Sequence, residues 1–213
     1  MVKRVITIFI LAKVFLVISA FVASYLLPLK THAYAGGFEF GTPYLYWVWA
    51  NFDGVHYLSI ARFGYQTLNF AFFPLLPLLI SLIHNFTAIP LIKTGILLSN
   101  ISLLLSLFLL YKIVRLDFDK RIAWRSVVLL LVFPTAFFLS SVYTDSLYLL
   151  LSMLSFYAAR KQKWFLAGLC GFLAGLTRLV GIVLLPVLLM EWYMQKKVKS
   201  EKLKVKSIIR YFF

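Results

Sequence analysis

The sequence predicts an all-α polytopic membrane protein, and three observations carry that prediction. Apolar residues make up 62% of the 213-residue chain, well above the roughly 45–50% of soluble domains. They gather in long uncharged runs, and the first of these, Val5 to Leu27, has the ~20 residues that a bilayer core demands. The 22 Lys and Arg, set against seven Asp and Glu, fall in blocks between the runs. A formal charge of +15 would suggest nucleic acid in a soluble protein, but blocks alternating with apolar runs indicate topology instead. No nucleic-acid partner is expected.

The elements follow in chain order. Lys3 and Arg4 precede the first run, which is too long for the apolar region of a signal peptide and lacks a small-residue cleavage site, so it is read as a retained helix. A second basic block holds Lys112, Arg115, Lys120, Arg121 and Arg125, a third Arg160, Lys161 and Lys163, and Lys196 to Arg210 holds seven more. If all four blocks face the cytoplasm, an even number of spans must separate successive blocks. Between the first two lie Val5 to Leu27, the 14-residue run Phe73 to Phe86 and Leu91 to Tyr111. The middle run contains Pro74 and Pro77, ends in His84 and Asn85 and is short for a span, so it is expected to be re-entrant or interfacial. Ser126 to about Ser141 then leads out, Ser146 to Ala159 returns, Trp164 to Leu176 leads out and Leu179 to Met194 returns. Several of these are short and need thin or protein-shielded surroundings. The expected bundle has about six transmembrane helices, with interfacial or re-entrant helices in a large first external loop, about residues 28–90.

No internal repeat or low-complexity linker is evident, so residues 1–195 read as one membrane-embedded domain. Composition shifts at Gln195 into a basic cytoplasmic segment, 196–213, whose last residues SIIRYFF turn apolar again like the onset of another helix. The single Cys170 can form no intrachain disulfide and reads as a small core filler.

With only seven acidic residues, Glu39, Asp53, Asp117, Asp119, Asp145, Glu191 and Glu201, each needs a reason. In WANFDGVHYLSIARFGY, residues 49–65, polar side chains recur at 53, 56, 59 and 62 while Tyr57, Leu58, Ile60 and Ala61 fill the other face. That is the pattern of a short amphipathic helix lying in the interface, closed by Gly64. Asp53 at its start is either a helix cap or a presented carboxylate. Under the expected topology Asp53, the turn Ser140 to Asp145 and the turn Thr177 to Arg178 converge on one external face. An Arg within a membrane bundle is costly, so Arg178 is either functional or held in a structural pair with Asp145. Asp145 opens an outer helix end, where capping and hydroxyl binding are equal readings. Arg62 can snorkel, and His56 can orient Asp53 or sit idle at the interface. His32 and His84 are isolated, Glu39 reads as a solvated loop residue, and the three His make no metal-site spacing with Asp53, so no obligatory metal is expected.

The segment FDGVHYLSIARFGY followed by FFPLLPLL resembles the signature of the GPI mannosyltransferase 2-like (PIG-V-like) family, integral-membrane enzymes of the GT-C glycosyltransferase fold. The resemblance continues through FPTAFFLSSVYTDSLYLLLS (Phe133 to Ser152) and AGLCGFLAGLTRLVG (Ala167 to Gly181), covering most of the chain in order. Members typically carry Trp-Asp at the first motif, where this chain has Phe52-Asp53. Members are also longer, with further membrane helices, so the chain reads as a fragment, a split gene product or a shortened relative.

The resemblance implies a GT-C-like bundle that moves a hexose, mannose by family, from a polyprenyl-phosphate-linked donor to a lipid-linked or other extracytoplasmic hydroxyl, with inversion. By match to the first-loop motif, Asp53 becomes the candidate base. An Asp pKa of about 3.9 makes it weak for an alcohol, so the proton should move late, with partial burial raising its basicity. The lipid-phosphate leaving group calls for a cation, with Arg178 as bidentate ligand and Arg62 as the alternative. Asp145 and His56 are assigned to substrate binding. No cofactor beyond the donor is expected. The expected partners are donor, acceptor and membrane lipids, with room for a partner membrane subunit, and the expected place is the plasma membrane with the site outside. The alternative reading is a catalytically silent subunit or a lipid-carrier transporter using the same groove.

Overall fold

The computed structural model describes residues 1–26, 44–67 and 69–197, so Glu39, His32 and most of the basic segment 196–213 lie outside the described residues. Helices and connecting turns make up all of the described chain, and no strand occurs among these residues. We number the α-helices α1 (Val2–Leu26), α2 (Asp53–Phe63), α3 (Leu75–Thr87), α4 (Leu91–Asp117), α5 (Lys120–Val132), α6 (Asp145–Arg160), α7 (Trp164–Gly175) and α8 (184–197). A single turn, Tyr44–Trp47, precedes α2, and 3₁₀ segments Pro134–Ser140 and Leu179–Val183 follow α5 and α7.

α1 is apolar on every side, and Val5 is its one buried residue. A helix with no polar face is stable only where lipid covers it. Val5 anchors it to the bundle in a cluster with Leu103, Leu107, Tyr111, Ala123, Trp124 and Val127. α4 carries Gly95, Ser99, Ser102 and Ser106 buried along one face, the small-residue stripe that allows helices without a hydrophobic driving force to approach closely. α6 packs most extensively against α4 and α7, and Ser155 of α6 donates to the Ala167 carbonyl of α7 at 2.7 Å.

Contacts at one end fix the direction of each helix. Arg160, at the end of α6, forms a bidentate pair with Asp117 at the end of α4, 2.9 and 2.5 Å, and lies 3.7 Å from Glu191 of α8. Arg4 of α1 stacks 4.4 Å over Trp124 near the start of α5. Thus α1, α5 and α7 leave this basic end while α4, α6 and α8 return to it. Those six alternate in direction in the order of the six apolar runs between the charge blocks. By length and composition three helices can span a bilayer, Val2–Leu26, Leu91–Asp117 and Leu179–Lys197, and a fourth if the bent pair Lys120–Val132 with Pro134–Ser140 counts as one.

The others are short for a physical reason. α5 stops where Phe133 adopts extended backbone before Pro134 (φ −61°, ψ 135°), because proline disfavours a helical predecessor. The chain then turns through 82°. At 1.5 Å per residue α5, α6 and α7 rise only ~18–24 Å against a ~30 Å core. α2 and α3 pack on each other and on α4 and share a core cluster with Tyr143, Leu147 and Ala174, near the start of α6 and the end of α7. α3, the helix formed by the Phe73 to Phe86 run, is 13 residues long and buries Leu75, Leu76, Pro77 and Ile80 within the bundle.

Candidate active site

The end remote from the basic residues is assembled by backbone contacts between segments far apart in sequence. The Val142 amide donates to the Trp49 carbonyl at 2.7 Å, the Tyr143 hydroxyl donates to the Asn51 carbonyl at 2.7 Å, and Trp49 stacks on Phe137 at 5.2 Å. These bonds lash the start of α2 to the stretch between the first 3₁₀ segment and α6. Gly54 makes the approach possible, since a Cβ there would meet the Val142 carbonyl oxygen at 3.3 Å. On the other side the Leu75 amide donates to the Leu176 carbonyl at 3.0 Å, which sets Thr177 and Arg178 beside the start of α3.

Ser140 is clamped from two helices. Lys13, midway along α1, donates to its hydroxyl, and Asn100 of α4 donates to its carbonyl at 3.2 Å and to the Ile96 carbonyl at 2.7 Å. Gly95 of α4 also faces Val142. Residues 95 and 100 lie roughly 6–14 Å below the outer end of α4, so the site floor is recessed within the bundle. Lys13 escaped attention in the sequence because it interrupts an otherwise uniform apolar run. An ionisable residue at membrane depth is itself the signal.

Three of the sequence candidates come together. Arg178 Nη1 donates to Asp145 Oδ1 at 2.5 Å, with both side chains partly exposed. Asp145 opens α6 and Asp53 opens α2, each in a first helical turn where the dipole favours negative charge. Tyr57 of α2 is buried in the core cluster that holds Val142 and Tyr143. Burial is the main cause raising the Tyr57 pKa. Asp53 and Asp145 push it the same way, while Thr144 and Arg178 pull it down. Tyr57 is thus within electrostatic reach of both carboxylates and of the guanidinium. Sequence reading assigned Tyr57 to the apolar face; its spacing of one helical turn from Asp53 was the available clue.

Asp53 itself is exposed. The partial burial expected from sequence is absent, because the carboxylate lies on the outward first turn of α2. Capping is not its role either: the N-cap position is Phe52, and no side-chain cap bond forms there. Among the described residues no hydrogen bond or ion pair occupies the Asp53 carboxylate. Phe52 holds a positive φ of 55° with ψ −119°, a region strained for a residue with a side chain and often found beside functional groups.

The structure does not bring His56 and Arg62 to this cluster. His56 Nδ1 lies 2.8 Å from Asn69 Oδ1, and its ring stacks on Phe72 at 4.6 Å. An amide oxygen only accepts, so Nδ1 carries the proton and His56 is held in the fold of the loop. Arg62 is near the far end of α2, ~13 Å of rise from Asp53, where it lines a separate cleft with His84 and Asn85. Its guanidinium lies 5.1 Å from the Phe63 ring centre.

Asp145 and Arg178 are the charged residues lining a mainly apolar cleft of about 630 Å³. From them it runs past Tyr148 and Phe133 to Leu110 and Met153, that is, along α4, α5 and α6. No group of three His, Cys, Asp or Glu that could hold a metal ion occurs among the described residues.

Fold and site together define an integral membrane protein whose helical bundle carries a polar pocket against an apolar groove. The family model for Mannosyltransferase (PIG-V) matches residues 1–209. The chain belongs to that family and is a membrane mannosyltransferase, as the resemblance of its motifs implied. No curated protein and no solved structure matches it.

Proposed function

We propose that this mannosyltransferase takes its sugar from a polyprenyl-phosphate carrier and passes it to a hydroxyl acceptor on the non-cytoplasmic side, with inversion. The observation that supports this most is the pairing of two charged residues with an apolar groove. A long isoprenoid chain suits the cleft lined by Leu110, Phe133 and Met153, with its phosphate at Arg178. One Arg178 N–H is engaged by Asp145, and the guanidinium keeps further donors for phosphate oxygens.

In this reading the acceptor oxygen attacks the anomeric carbon from the face opposite the phosphate. The C–O bond to phosphate breaks through an oxocarbenium-like transition state, Arg178 receives the negative charge, and the acceptor proton passes to Asp53. Tyr57 and Asp145 offer a donor and an acceptor to the sugar hydroxyls. The chemistry requires carboxylate and guanidinium groups and no cofactor beyond the donor. The basic end faces the cytoplasm, in the plasma membrane, by the charge bias of short loops.

The test supplies membranes containing the protein with mannosyl polyprenyl phosphate or with a nucleotide-linked mannose, and the product anomer is assigned by mannosidase digestion. Transfer from the lipid donor alone, to the opposite anomer, is expected. Direct use of the nucleotide sugar, or retention, would overturn the proposal. Movement of the lipid carrier without sugar transfer would favour a transporter instead.

A further inference from the structure

The basic end carries a second cleft that the transfer chemistry does not use. Arg4 of α1 and Lys120, Arg121 and Arg125 of α5 line it beside Trp124, around a volume of about 790 Å³. Its walls are built: Arg4 lies 4.4 Å over the Trp124 ring, and Val5 is buried against Ala123, Trp124 and Val127.

No acid lines this cleft. The nearest acids in sequence have other work, since Asp119 caps α5 by accepting from the Ile122 amide at 2.8 Å and Asp117 is held by Arg160. Among the described residues the four cations therefore have no ion-pair partner. Moving along α5 away from the basic end, Arg121 and Arg125 are succeeded on the same side of the helix by Val128 and Leu129, both exposed and both lining the cleft. One continuous surface thus changes from cationic to apolar within about two turns.

We infer that this cleft binds an anionic diacyl phospholipid, its phosphate among Arg4, Arg121 and Arg125 and its acyl chains along Val128 and Leu129. Charge alone would suit any soluble anion. The apolar continuation selects a lipid, because water-soluble anions gain nothing from it. The bound lipid would also reinforce the contact between α1 and α5 that Val5 and the Arg4–Trp124 stack already make.

The experiment uses the full chain purified in non-ionic detergent and incubated with equal amounts of phosphatidylglycerol and phosphatidylcholine of matched acyl chains. Retained lipid is counted by native mass spectrometry. The wild type should retain phosphatidylglycerol about tenfold over phosphatidylcholine, the preference falling towards unity in R121Q/R125Q. R121K/R125K, which keeps the charge, should preserve it, as should K161Q/K163Q, which removes basic residues of the same end outside the cleft. In the wild type, raising ionic strength from about 0.05 to about 0.5 M should weaken the preference, a readout that needs no variant to fold. Inorganic phosphate should not displace the lipid. Equal retention of both lipids by the wild type, loss of preference in K161Q/K163Q as large as in R121Q/R125Q, or displacement by inorganic phosphate would overturn the inference.

Discussion

Replacing Asp53 by Asn separates catalysis from folding because the structure assigns the two very different weights. The carboxylate is exposed and has no hydrogen bond or ion pair among the described residues. Its structural contribution is then confined to the favourable position in the first turn of α2, about 0.3–1 kcal/mol. Asn keeps the volume and cannot take a proton. Loss of a general base lowers the rate about 10²–10⁴-fold, equivalent to ~2.7–5.4 kcal/mol of barrier. A second effect is local: with the charge gone, the Tyr57 pKa loses one of the influences holding it up, while burial, the larger cause, remains. The assay follows tritiated mannose from mannosyl polyprenyl phosphate into acceptors in the same membranes, alongside thermal unfolding of the purified chain. Asp53→Asn should unfold within a few degrees of the wild type and lose at least about 99% of transfer. A variant that folds normally and keeps more than about a tenth of the activity would refute the assignment of Asp53 as base.

Further outcomes follow from neighbouring contacts. Arg178→Lys keeps the charge and loses the planar fork, so KM for the lipid donor should rise about tenfold while Arg178→Gln loses about 10²-fold in kcat, both read from initial rates against donor concentration. Gly54→Ala places a Cβ 3.3 Å from the Val142 carbonyl oxygen; displacement of the start of α2 should reduce transfer several-fold with a stability loss of about 1 kcal/mol, checked by transfer rate and thermal unfolding. Lys13→Met keeps the length of the side chain and removes the donor to Ser140. Membrane insertion should be unchanged or improved while kcat drops, and full activity in this variant would remove Lys13 from the positioning of residues 140–145.

Much of the bundle was legible because membrane topology is written in composition. Six apolar runs between basic blocks correspond to six helices, of which three, or four with the bent pair, are long and apolar enough to span, and the proline-bearing run Phe73 to Phe86 forms a 13-residue helix. Helix ends were less legible. The shortness of α5 is set by Pro134 and the 82° turn after it. The convergence of Asp145 and Arg178 followed from counting crossings. Tyr57 and Lys13 were missed because both lie within apolar patterns, and the residues that act on them, Thr144 and Ser140, are 87 and 127 residues away along the chain. His56 and Arg62 were drawn in by spacing alone. The acceptors and rings that hold them, Asn69, Phe72 and Phe63, carry no signal in the helical period.

The account rests on residue 53 lying close to residues 145 and 178 at the end opposite the basic blocks. Paired cysteines at 53 and 178, in a chain with Cys170→Ser, test this directly. A short bifunctional thiol reagent is applied in membranes, and trypsin then cuts between the two at Lys161 and Lys163. The account predicts that the two fragments remain joined, while the same reagent fails to join 53 to 121. Fragments that separate after treatment of the 53 and 178 pair, or a link between 53 and 121, would contradict it.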